Sequence, residues 1–192
     1  MTKSQTKQII NLLTHKGVLF DEGLSDLETK EIEEMFDIKF PEDLKQFLQL
    51  GLPVNDRFIN WRQGLKDKEV ADKIIGMINW PLEGMLFDIE HNAFWVDSWG
   101  EKPVDFESQA EIAKRNYYTY PKLIPIYGHR FIPSEPNEAG NPVFSIVEMD
   151  IIYYGYDLAT YFAHEFHFKL NSSFEIPDHN KREIRFWSSC VY

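Results

Sequence analysis

Apolar residues in positions 123–166 come in runs of five or six, LIPIY, HRFIP, PVFSIV and DIIYYG, bounded by Pro, Gly and Asn. β-branched and aromatic residues in runs of this length predict adjacent antiparallel strands. The turn-rich SEPNEAGN parts the middle two runs. Asp157 then opens the helical pattern DLATYFAHEF, placed to cover one face of the sheet.

The first half of the chain has a helical period instead. Ile9, Ile10, Leu12 and Leu13 fall in one amphipathic window over residues 3–15, which Gly17 ends. Ser25-Asp26-Leu27-Glu28 fits a capping box, and Ile32, Met35 and Phe36 mark the buried stripe of the helix that it opens. Glu33 and Glu34 read as that helix's solvated face. Pro41 suits the first turn of a second short helix, because its missing N–H falls where a helix has no partner for one. Glu42 and Asp43 complement the positive end of the dipole, Leu44, Phe47 and Leu48 give the apolar face, and Gly51 is the expected stop.

Residues 67–79 (DKEVADKIIGMIN) predict a longer helix with Val70, Ile74, Ile75 and Ile78 apolar, broken by Trp80-Pro81. An insert follows to residue 103, so that positions 67–103 form a helix plus a tryptophan-rich segment holding Trp80, Trp95 and Trp99. Residues 105–115 suggest a further helix and NYYTYP an edge strand. Residues 171–182 are polar and turn-like, and Ile184, Phe186 and Trp187 dock the tail back onto the body.

A helix carrying EIEEMF, then a short apolar link ending in FPEDLKQFL, resembles the opening of the SUKH superfamily, named partly for fungal cell-wall-assembly regulators. Phe40-Pro41 stands for the family's Leu-Pro, Leu44 for its aromatic, and Phe47-Leu48 for the helix end; Gly51-Leu52-Pro53 replaces the family's glycine-rich turn. Leu123-Ile124-Pro125-Ile126 and the helix of residues 157–166 occupy the places of the family's later strand and closing helix. The expected fold is therefore α+β: one SUKH-like domain over residues 1–192, with a mixed or mostly antiparallel sheet of about five to six strands flanked by helices.

Composition fits one globular core, since 43% of the 192 residues are hydrophobic and 15% aromatic. The net charge of −11 changes the picture of partners. It repels phosphate, which argues against nucleic acid and anionic membranes, and it suits a basic protein; acidity that merely keeps the chain dispersed is the plainer account. The single cysteine, Cys190, forms no internal disulfide and has no evident partner for nucleophilic work. MTKSQTKQIINLL lacks the apolar core of a signal peptide and no run is long enough to span a bilayer, so the expected location is cytoplasmic.

His164-Glu165-Phe166-His167 resembles a zinc-protease motif, but its histidines are three apart where that chemistry needs four, and His91, His129 and His179 add no ligand spacing. Gly140 and Gly155 are isolated, so there is no phosphate loop, and no nucleophile elbow occurs. No cofactor, no metal and no catalytic residue is expected, and an enzyme is not the expected class.

The resemblance implies a function. Bacterial SUKH members are largely immunity proteins that bind and neutralise a cognate toxin, often a nuclease, and a nuclease's basic substrate face would be drawn to this acidic chain. Trp95 and Trp99 as anchors, with Asp88, Glu90 and Asp97 as an acidic rim, are the expected partner-binding residues. The competing account makes the tryptophans core plugs with hydrogen-bonded indoles. Alternative functions are a regulatory scaffold, as in the fungal members, and a small-ligand or metal hydrolase using His164 and His167.

Overall fold

The computed structural model describes residues 1–174 and 181–191. His179 and much of the expected turn at 171–182 lie outside them. Helix starts follow local side-chain chemistry. In α1 (Lys3–His15) and α2 (Asp26–Met35), Thr2 and Ser25 each accept the backbone N–H three residues on, and Gln5 and Glu28 reach back to the cap. Gly17, at φ +87°, turns the chain out of α1 in a conformation that costs glycine little. Pro41 precedes α3 (Glu42–Leu50), and the extended Gly51 leads into β2 (Leu52–Pro53), which pairs antiparallel with β1 (Phe20–Asp21).

The stripe of α2 is rotated from its expected position. Met35 is 53% exposed, while Glu33 is buried. The reason is polar: the Glu33 carboxylate accepts the Phe40 N–H at 3.1 Å and the Lys39 ammonium at 2.7 Å, tying α2 to the link before α3. Of the two glutamates, only Glu34 is solvated.

After the single turn of α4 (Trp61–Gly64), α5 runs unbroken from Lys68 to His91 with Pro81 inside it. Proline here removes the N–H that the Met77 carbonyl would have used. The helix nonetheless continues, because Pro81, Leu82, Met85 and Ile89 are all buried on one side. Gly84 and Asp88, one turn apart, seat that side on the strand turn at Glu148–Met149. A Cβ at Gly84 would lie 2.6 Å from the Glu148 Cα, and the Asp88 carboxylate accepts the Met149 N–H at 2.8 Å.

α6 (Phe106–Tyr117) includes the first tyrosine of NYYTYP, and Tyr118–Tyr120 form a turn instead of the expected edge strand. The four apolar runs are β3 (Leu123–Tyr127), β4 (Arg130–Pro133), β5 (Val143–Val147) and β6 (Asp150–Gly155), an antiparallel meander in that order. Helix α7 (Leu158–Glu165) follows, capped by Asp157. The α+β class and antiparallel pairing hold, with the six strands among the described residues divided into a ladder of two and a sheet of four.

Both faces of the larger sheet are covered, which is why its strands are almost continuously apolar. Ile124 and Ile132 join Ile9, Leu13, Phe47 and Phe162 in one core. Phe131, Phe144, Ile146 and Ile151 join Met85, Ile89, Ala113 and Trp187 in the other. The tail does return: Trp187 is 1% exposed, its indole donates to the Pro121 carbonyl at 2.7 Å, and Trp187–Cys190 form a 3-10 turn. The SEPNEAGN loop is pinned by Asp43, whose buried carboxylate accepts the Gly140 N–H at 2.9 Å; burial pushes its pKa up. Among the described residues no helix is long and apolar enough to cross a membrane.

Candidate functional site

The segment after α5 carries the expected anchors. Lys102 closes the helix end by donating to the carbonyls of Ile89 and Phe94, which folds residues 92–102 back on themselves. Trp95 and Trp99 meet edge to face with ring centres 5.2 Å apart. Their indoles are satisfied, Trp95 by the Gly100 carbonyl at 2.8 Å and Trp99 by the Tyr120 hydroxyl at 2.7 Å. Trp99 also packs on Phe94 and Phe186, so it behaves as a plug for this lobe. Both rings are half-buried, and each therefore still presents surface.

Beside Trp95 lies a notch of about 270 Å³, walled by Phe94, Trp95, Val96 and Asp97 on one side and by Phe186 and Cys190 of the tail on the other. Asp97, Glu90 and Glu101 are exposed. Asp88 is not available to this rim: it is 7% exposed, and its oxygens are taken by the Met149 N–H and the Asn92 amide. Burial pushes the Cys190 thiol up to about 11, which keeps it protonated and a poor nucleophile near neutral pH.

A second concavity was not expected from the sequence. A cleft of about 320 Å³ opens between α5 and the β3–β4 turn, lined by Arg57, Met77, Trp80, Gly128, His129, Phe131 and Val147. Arg57 stands at φ +77° in the loop after β2, where its carbonyl accepts the Gly128 N–H at 2.9 Å. Its guanidinium lies over the Tyr127 ring at 4.4 Å and against Gly128, where a Cβ would come within 3.0 Å of it. His129 is held below the usual imidazole range, first by burial and then by the positive charges of Arg130 and Arg57. Trp80, read from the sequence as part of a helix break, stands instead on the outer side of α5, 48% exposed.

The histidines do not assemble a metal centre among the described residues, where no group of three or more His, Cys, Asp or Glu side chains is placed to share an ion. His164 stacks on Tyr154 at 4.3 Å with its Nδ1 3.0 Å from the Tyr154 carbonyl. Glu165 points inward, accepting from Arg130 at 2.9 Å. His164 and Glu165 thus each have a neighbour of their own within the fold, and the His167 side chain is exposed. No family model matches the chain, and neither a curated protein nor a solved structure matches it.

Proposed function

We propose that the chain is a non-catalytic protein-binding domain of SUKH type, an immunity protein that binds and neutralises a basic toxin domain, with a nuclease the toxin class best matched to its charge. The observation that carries the reading is the notch beside Trp95. A half-exposed aromatic wall edged by Asp97, with Glu90 and Glu101 exposed on the same stretch of chain, suits insertion of an Arg or Lys side chain from a partner. The net charge of −11 adds long-range attraction for a cationic face and speeds the encounter. Trp95 is the anchor in this reading, Trp99 sets its angle, and Asp88 has no part in the contact.

The test is co-expression with toxin domains encoded beside the gene, followed by co-purification. Growth rescue and a stable complex are expected. Trp95→Ala should cost about 2 kcal/mol of binding, and Glu90→Lys with Asp97→Lys should slow association most at low salt. If none of those toxin domains is neutralised or retained, the proposal falls.

A further inference from the structure

The cleft between α5 and the β3–β4 turn is separate from the Trp95 notch, and its chemistry is of the opposite sign. In a chain of net charge −11, the one permanently charged side chain lining this cleft among the described residues is a cation, Arg57; Asp56 precedes it in the loop but does not line the space. Met77, Trp80, Phe131 and Val147 make the remaining walls mostly apolar. Trp80 and Val147, both lining the cleft, stand 48% and 46% exposed, so apolar surface is left in water beside the cation.

The guanidinium is also held in place before any ligand arrives. It rests on the Tyr127 ring, Gly128 leaves it room by lacking a Cβ, and the Gly128 N–H fixes the Arg57 carbonyl. Among the described residues it has no carboxylate partner within ion-pair distance. Its fork therefore remains free to take a planar anion through two parallel N–H donors. We infer that this cleft binds a small hydrophobic carboxylic acid, its carboxylate on Arg57 and its aromatic or branched aliphatic body between Trp80, Met77 and Val147.

Size sets the class of ligand. A cleft of about 320 Å³ is at the small end of ligand pockets and holds one ring or branched chain with its acid group. His129, whose burial and cationic neighbours favour the neutral ring, can turn its one ring N–H to the ligand carboxylate as a further donor. The inference does not depend on the toxin-binding reading, because the two surfaces share no lining residue.

The experiment titrates the purified full chain with 3-phenylpropionate and, separately, with its neutral amide, by calorimetry and by the indole signals in NMR spectra. One-site saturation with a Kd on the order of 1 mM or tighter is expected for the acid. The amide should bind at least about ten-fold more weakly, because it cannot replace the charge-assisted pair with Arg57. Arg57→Gln and Trp80→Ala, both exposed positions, should each weaken the acid by a similar factor while the circular dichroism stays that of the wild type. Trp95→Ala should leave the affinity unchanged. Absence of saturation, equal affinity for acid and amide, or indifference to either cleft substitution would overturn the assignment.

Discussion

Replacing Glu165 with alanine strands a buried cation, Arg130. Arg130 and Glu165 side chains are 8% and 11% exposed, and their N–O distance is 2.9 Å. The guanidinium keeps two other neighbours, the Ser145 hydroxyl at 2.8 Å and the Tyr154 ring at 3.6 Å, so it is not left wholly bare. Breaking one side of such a pair costs about 3 kcal/mol, because the remaining charge stays out of water without its counter-ion. Removing both charges, as Arg130→Met with Glu165→Ala, should return stability to within about 1 kcal/mol of the wild type, and Arg130→Met alone completes the cycle. The cycle then gives a coupling of about 2 kcal/mol or more. Urea unfolding at neutral pH, followed by tryptophan fluorescence and circular dichroism, measures all four proteins. A loss of under about 1 kcal/mol for Glu165→Ala would be the value of an exposed pair and would refute the buried-charge argument.

Two further outcomes are expected. Asp88→Ala should destabilise by about 1–3 kcal/mol in the same assay, since it leaves the Met149 N–H unpaired at the turn that α5 grips; a change below about 0.5 kcal/mol would show that water or another acceptor replaces it. Glu28, hydrogen-bonded to Arg62 and to the Ser25 N–H, has its pKa lowered from 4.5 to about 2. A depressed carboxylate contributes stability that is present above its unfolded pKa and is lost as pH falls toward the folded one. The difference in stability between the wild type and Arg62→Gln should therefore shrink between pH 4.5 and about 2, as read from paired thermal melts, and a constant difference would contradict it.

Elements with a local cause are legible in the chain. Ser25 with Glu28, Pro41, Gly17 and Asp157 act on backbone groups within a few residues, and they start or stop their helices where the spacing says. The four apolar runs are the four strands of the main sheet, and Ile184 and Trp187 are buried as expected. Features that depend on distant partners are not. Pro81 ends a helix in isolation, but here a buried face on both sides of it holds α5 straight through. Glu33, Asp43 and Asp88 look like solvent-facing acids in the chain, yet each accepts a backbone N–H, with Asp43 and Gly140 lying 97 residues apart and Asp88 and Met149 lying 61 apart. A backbone donor has no residue-type signal, so no pattern in the sequence could announce these bonds. The same holds for the Arg57 cleft, where a loop, a helix and a strand turn from three separate stretches supply one cation and its apolar walls. Only folding brings them within a few ångströms, where Coulomb attraction and excluded water can act together.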